Sequence, residues 1–191
     1  MTFDELVEKS KEQVASNHKS EKIEISEKWT QGRTVFGGLS AGLLLAASEQ
    51  VVSAEKELHS AYTSFIGPLL ADTSFEIDVS ILREGNNVVQ VLAKAMQNGQ
   101  VAVLQQSSFG IKRASSVELN NIQSHSMEII TEATLDQSKL IMAPNFLQHF
   151  EFALTNGKEP FSGSDDSKDA LVYNTSGQVL AKSHQTIAIF D

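Results

Sequence analysis

The chain has 191 residues, 41% of them hydrophobic and 20% charged, a composition typical of a globular protein with a substantial core. Its net charge of −9 at pH 7 argues against a nucleic-acid partner or an anionic membrane surface. Because the chain has no cysteine, disulfides, thiolate catalysis and cysteine metal sites are excluded.

Targeting and cofactor signals are not visible in the sequence. The first residues lack a basic region followed by a long apolar one, and no apolar run approaches about 18 residues. The five histidines have no metal-ligand spacing, and no phosphate-binding or dinucleotide motif occurs. We therefore expect a cytoplasmic protein with no membrane span, no metal and no cofactor.

The first elements are short. Thr2 and Glu5 predict a capping box at the start of a helix that ends near Ala15. Residues 22–28 alternate between apolar and polar side chains and predict a short strand, and residues 29–36 predict a loop.

An apolar segment with almost no charge follows. Residues 39–54 predict a central helix, preceded by the pair Gly37-Gly38, and such a neutral helix is most simply explained as buried with a sheet wrapped around it. Gly42 inside the helix costs about 1 kcal/mol relative to alanine, so we expect a packing reason for it.

Regular strands follow the helix. Residues 58–66, 75–81, 88–97 and 101–111 predict four strands in a meander, and Asn98-Gly99 matches a two-residue hairpin turn with positive φ. A long helix wrapped by a curved antiparallel sheet is an α+β hotdog fold, which is the fold class we predict.

The tail is less regular. Residues 114–143 are polar and predict a linker, residues 145–153 predict a strand, and residues 171–173 with 178–190 predict a last hairpin. No second helix comparable to residues 39–54 follows residue 145.

Several motifs occur in the order found in one family. They are Arg33-Thr34-Val35-Phe36-Gly37-Gly38, Leu58-His59-Ser60-Ala61-Tyr62, Leu82-Arg83-Glu84-Gly85-Asn86, Ala95-Met96-Gln97-Asn98-Gly99 and Ser107-Ser108-Phe109. Over about residues 22–112 the chain resembles the thioesterase-like hotdog superfamily, in particular the acyl-CoA thioesterase II type.

That family usually carries two hotdogs in one chain, and residues 144–151 and 176–186 resemble the start and the end of the second. The second central helix has no counterpart here. The resemblance therefore implies a complete hotdog with its N-terminal helix over residues 1–113, a linker, and the strands of a truncated second hotdog over residues 144–191, packed on the first as one domain.

The resemblance implies a protein that hydrolyses or binds an acyl-CoA thioester. In thioesterases of this type an Asp, a Ser or Thr, and a Gln of the second hotdog do the catalytic work, and only the Gln carries over, onto Gln185. Two alternatives stay open: a non-catalytic protein that binds acyl-CoA or another acyl ligand, and a hotdog with a structural or interaction role.

The candidate substrate-binding residues are Arg33, Phe36, Gly37 and Gly38. Backbone N–H groups near the glycine pair, at a helix N-terminus, suit a thioester oxygen or an anion. The alternative is that glycine only lets the helix approach the sheet. Arg33 is a candidate partner for a CoA phosphate, or a surface arginine without a role.

The candidate catalytic residues are His59 and Gln185. His59 as a general base needs an orienting carboxylate, which the sequence does not name, so a structural role stays open. Gln185 suits the orientation of a water molecule, or belongs to a polar pair without a role. We expect the acids Glu49 and Asp78 to face solvent.

A partner chain is also expected. The predicted sheet has an exposed edge, and hotdog active sites usually form between two units, so we predict a homodimer.

Overall fold

The structure is a computed structural model that describes residues 1–114 and 144–149 and the backbone of Asp169–Tyr173 and Val179–His184. The chain divides into two compact units. The first comprises Met1–Glu118 with Ala143–Leu147, and the second comprises Leu119–Met142 with Gln148–Asp191. The proposed packing of residues 144–191 on the first hotdog as one domain stays a prediction.

The first helix, α1, spans Phe3–Lys11 and carries the predicted capping box. The Glu5 N–H donates to Thr2 Oγ1 at 3.3 Å, and the Thr2 N–H donates to Glu5 Oε2 at 2.7 Å. The helix ends before Ala15 because Gln13 takes a left-handed conformation with φ of 63°, and a one-turn helix, α2, follows over Val14–Asn17.

The strand predicted over residues 22–28 is wrong. Ile23 makes one isolated bridge to Phe75, and Glu27–Trp29 form a 3₁₀ turn, so the segment meets the sheet edge at single points. The predicted loop of residues 29–36 contains a small hairpin instead. Its strands are β1 (Thr30–Gln31) and β2 (Thr34–Val35).

The central helix, α3, spans Gly37–Glu49, so it begins two residues earlier and ends five residues earlier than predicted. It ends there because the N–H groups of Val51 and Val52 bond to carbonyls three residues back, which tightens the last turn. The packing reason expected for Gly42 is wrong, since a Cβ there would meet nothing within 4 Å.

The main sheet has four antiparallel strands. They are β3 (Glu57–Phe65), β4 (Glu76–Glu84), β5 (Val88–Gln97) and β6 (Gln100–Gly110). The spatial order is β3-β6-β5-β4, so β4, β5 and β6 form a meander but β3 lies beside β6. The predicted four-strand meander is wrong for β3, because the connection between Phe65 and Glu76 carries the chain to the opposite edge of the sheet.

The turn and the layers agree with the prediction. Asn98 and Gly99 have φ of 52° and 77°, as a two-residue hairpin requires. Helix α3 packs on the sheet, and α1 packs on α3. The buried core draws on all of these layers and includes Leu6, Leu43, Leu44, Ile77, Val91, Val103 and Phe109. The fold is the predicted α+β hotdog, with extra strands in a second sheet.

The extra strands belong to the second unit. They are β7 (Asp169–Tyr173) and β8 (Val179–His184), which pair antiparallel and confirm the predicted hairpin over the described residues. Residues 115–143, 150–153 and 185–190 lie outside the described residues. No helix in the described part of the chain is long and apolar enough to cross a membrane.

The strand predicted from Asn145 is wrong where the chain is described. Asn145–His149 form a 3₁₀ helix, and the Leu147 N–H donates to the Pro144 carbonyl at 3.1 Å. This hydrogen bond joins residues three apart in the chain, whereas a strand would need hydrogen bonds to a neighbouring strand.

Candidate functional site

The N-terminus of α3 presents backbone donors. Phe36 is the N-cap and makes no side-chain capping bond, and the first helical bond recorded here runs from the Ser40 N–H to the Phe36 carbonyl at 3.1 Å. Within residues 1–114 and 144–149, the N–H groups of Gly37, Gly38 and Leu39 donate to no acceptor. These donors lie at the positive end of the helix dipole and suit a partly negative oxygen.

Aromatic rings lie against both glycines. A Cβ on Gly37 would stand 2.9 Å from Cζ of Phe65, and a Cβ on Gly38 would stand 2.5 Å from Cε1 of Phe36. The absence of a side chain at Gly37 therefore leaves room for the Phe65 ring from β3. The absence of one at Gly38 leaves room for the ring of the N-cap residue, Phe36. The glycine pair is needed because other groups approach the backbone closely here, as the sequence suggested. The approaching groups are the rings of Phe65 and Phe36.

A second segment packs on the Phe36 side. The rings of Phe36 and Phe146 stack at 3.9 Å between centroids with an interplanar angle of 3°. Asn145 Nδ2 donates to the Glu27 carbonyl at 3.1 Å and to Thr30 Oγ1 at 3.3 Å. All of these residues belong to the first unit, so Asn145 and Phe146 complete the wall around the start of α3.

On the other side of Gly37 lies a cleft of about 270 Å³, called the α3 cleft below. Its lining residues are Gln31, Thr34, Val35, Gly37, Ser40, Phe65, Gly67, Pro68, Leu69 and Val103. Val35, Leu69 and Val103 are buried and apolar, whereas Thr34 and Ser40 bring hydroxyls to the helix end. Within residues 1–114 and 144–149 the lining contains no histidine, carboxylate or lysine, so this part of the chain offers binding groups and no general base.

His59 lies at the other end of β3. Leu58 pairs with Phe109 and Ser60 pairs with Ser108, so His59 is the extra residue of a β-bulge. Phe65, which contacts Gly37, is six residues further along the strand, a distance of roughly 20 Å. Within one chain the structure does not bring His59 together with Gly37.

The remaining candidates are spread over the surface or lie outside the described residues. Arg33 is exposed at the tip of the β1–β2 hairpin, and it makes no ion pair within the described part of the chain. Glu49 is exposed, as expected, while Asp78 is half-buried rather than facing solvent. Gln185 lies outside the described residues.

Asp78 stands near an ion pair at the β4 edge. The Glu76 carboxylate hydrogen-bonds to Lys19 and raises the pKa of that amine, and Asp78 adds a smaller contribution in the same direction. This cluster belongs to the contact between residue 19 and β4, far along the sheet from the edge formed by β3.

Sequence reasoning missed three residues around the start of α3. They are Phe65, Phe146 and Gln105, of which Gln105 is 2% exposed and donates to the Ala41 carbonyl at 3.0 Å and to Thr63 Oγ1 at 2.9 Å. A polar residue at an inward position of β6 was the available signal for Gln105. No local pattern pointed to Phe146, because its partner Phe36 is far away in the sequence.

Comparison with known proteins finds similarity over part of the chain. Residues 25–110 match the family described as the acyl-CoA thioesterase N-terminal domain. Acyl-CoA thioesterase 2 of Haemophilus influenzae is 38% identical over 68 residues, which are 35% of this chain and 23% of that protein. The crystal structure of the acyl-CoA thioesterase II TesB2 from Mycobacterium marinum superposes with a TM-score of 0.53 at 19% identity, covering 65% of this chain and 44% of that chain.

Residues 25–110 thus match a thioesterase-family domain, which confirms over those residues the resemblance seen in the sequence. The chain spans less than a quarter of the Haemophilus protein and less than half of the Mycobacterium chain. All ten residues that line the α3 cleft fall within the matched range, so the cleft lies in the part of the chain that matches the family.

Proposed function

We propose that this protein binds an acyl-CoA thioester at the start of α3. The observation that carries the proposal is the set of N–H groups at Gly37, Gly38 and Leu39 that donate to no acceptor in the described residues, beside a partly apolar cleft. The family match over residues 25–110 supports an acyl-CoA ligand for this cleft.

The chemistry of the two ends of the cleft fits such a ligand. A thioester oxygen gains charge when it is polarised, and donors at a helix N-terminus stabilise that charge. The buried side chains of Val35, Leu69 and Val103 offer an apolar surface to the acyl group. We keep Arg33 as the proposed contact for a CoA phosphate, because an exposed guanidinium near the cleft suits a phosphate group.

Hydrolysis needs a further group that activates water. Among the described residues the α3 cleft has no such group, so we propose His59 of the partner subunit as the group that activates water. Gln185 stays our proposed residue for orienting a water molecule. The open edge strand β3 runs from Glu57 to Phe65. Antiparallel pairing of two copies about a two-fold axis at Ala61 puts position 59 of one chain opposite position 63 of the other, two residues from Phe65.

A second candidate function is binding without hydrolysis. It is favoured by one observation, the absence of any titratable side chain from the cleft lining in the described residues. A homodimer and a cytoplasmic location remain predictions in both cases.

The test is the release of free CoA thiol from a panel of short- to long-chain acyl-CoAs, with thermal stability measured in parallel. Turnover that falls at least about tenfold in His59→Ala or Gln185→Ala supports the thioesterase. No turnover, together with a melting temperature that rises with acyl-CoA concentration, supports the binding protein. Neither turnover nor a shift contradicts both, and leaves a hotdog with a structural or interaction role.

The partner's role has its own test. A His59→Ala chain and a Gly37→Val chain are each expected to be inactive as homodimers. If His59 acts across the interface, mixing the two restores part of the activity, because one of the two sites in a mixed dimer then keeps both groups. Activity that stays absent in the mixture, with mixed dimers demonstrated by mass, contradicts the role of the partner's His59.

A further inference from the structure

Phe65 stands at the boundary between the α3 cleft and solvent. Its side chain is 60% exposed at the end of β3, although its ring contacts Gly37. Across the ladder it pairs with Val103, which is 2% exposed and lines the same cleft. A single aromatic ring therefore lies between the buried side of the cleft and the outside.

The other walls of the cleft are fixed more firmly. Leu69 is 3% exposed, and its carbonyl accepts the Val35 N–H at 2.9 Å. On the far side of the helix end, Phe36 lies against Gly38 and stacks on Phe146. Among the lining residues that the structure describes, Phe65 is the one large apolar side chain that is mostly exposed, so it can be removed without opening the core.

The size of the cleft limits what fits behind Phe65. A volume of about 270 Å³ lies below the range of about 300–1,000 Å³ that is usual for ligand pockets. With the thioester at the helix end, the space between Leu69, Val103 and the Phe65 ring suits a short acyl group. A chain that continues outward past Val103 meets the Phe65 ring, because the two residues pair across the ladder and both line the cleft.

We propose that Phe65 is a specificity-determining residue that restricts the ligand to short-chain acyl groups; this rests on the proposed function. A smaller side chain at position 65 extends the cleft outward and admits longer chains. Each methylene group that moves from water into the extended cleft improves affinity about fourfold.

The experiment titrates acetyl-, butanoyl-, hexanoyl-, decanoyl- and palmitoyl-CoA into the full-length protein and measures binding by calorimetry. The wild type is expected to prefer butanoyl- or hexanoyl-CoA over palmitoyl-CoA. Phe65→Ala is expected to shift the preference toward decanoyl-CoA by at least about tenfold relative to butanoyl-CoA. Leu82→Ala is the matched control, since Leu82 is 51% exposed on β4, at the other edge of the sheet from β3.

The outcomes separate the two proposals. If the wild type binds acyl-CoA and Phe65→Ala keeps the wild-type ratio, the role of Phe65 is overturned and the proposed function stands. If the wild type binds no acyl-CoA, both are overturned. Phe65→Leu is measured alongside, with molecular mass and circular dichroism for every variant, so that a weakened strand end cannot imitate a change in preference.

Discussion

The imidazole of His59 occupies the space that a side chain at position 110 would need. A Cβ on Gly110 would stand 2.5 Å from His59 Cε1 and 2.9 Å from Nδ1. The two residues lie on neighbouring strands, next to the bulge that gives β3 its extra residue. The absence of a side chain at Gly110 thus leaves room for the imidazole of His59, the histidine that we selected from the sequence as a catalytic candidate.

We predict that Gly110→Ala destabilises the protein by about 1 kcal/mol, because the added methyl group forces the exposed imidazole out of its position. In a His59→Ala background the same change is expected to be neutral or slightly stabilising. Urea unfolding of the two single variants and the double variant measures the coupling. A coupling near zero would mean that the imidazole does not lie over Gly110 in solution.

Gly42 is a position where we predict that a substitution raises the stability of the protein. Gly42→Ala should stabilise the protein by roughly 1 kcal/mol, since the residue is inside α3 and a Cβ there meets nothing within 4 Å. Gly37→Ala is the control and should stabilise less than Gly42→Ala, because its Cβ would stand 2.9 Å from Cζ of Phe65 and the ring must shift. Thermal and urea unfolding report both values; a clear loss of stability at position 42 would show that another surface covers it.

Gln105 and Gln106 form a matched pair on β6. Gln105 is 2% exposed and bonds to Ala41 and Thr63, whereas Gln106 is exposed to solvent. We expect Gln105→Ala to lower the free energy of unfolding by roughly 2 kcal/mol, since it leaves buried acceptors without their donor. Gln106→Ala should change it by less than about 0.5 kcal/mol. Equal effects in chemical denaturation would contradict the buried role of Gln105.

The stack of Phe36 on Phe146 can be measured as an interaction energy. A double-mutant cycle with Phe36→Leu and Phe146→Leu, which keep most of the apolar area, is expected to give a coupling of about 1 kcal/mol. Asn145→Ala should destabilise by a similar amount, through the lost bonds to Glu27 and Thr30. Additive effects of the two leucine substitutions would show that the rings are apart.

Local patterns were sufficient wherever the interactions are local. The capping box of Thr2 and Glu5, the turn at Asn98-Gly99 and the alternation along β4 each need only a few neighbouring residues. The same holds for the central helix, whose lack of charge marked it as buried.

Contacts between residues far apart in the sequence could not be predicted from local patterns. The position of β3 beside β6 depends on a pairing between residues about fifty positions apart, such as Ala61 with Ser107. The alternating phenylalanines from Phe146 suggested a strand, but the local bond from Leu147 to Pro144 closes a 3₁₀ turn instead. The candidate site could not be predicted in full for the same reason, because the contact of Phe65 with Gly37 joins the end of a strand to the start of a helix.

The two edge strands of the main sheet, β3 and β4, differ in whether another segment pairs beside them in the described residues. On the β4 side, Lys19 bridges to Asp78 in the strand and Ile23 bridges to Phe75 just before it, while no such bridge covers β3 in the described residues. Leu58, Tyr62 and Phe65 are exposed along that bare strand. A strand with free main-chain groups and apolar side chains is a template for further strand addition. We therefore expect the assembly state of the protein to depend on its concentration.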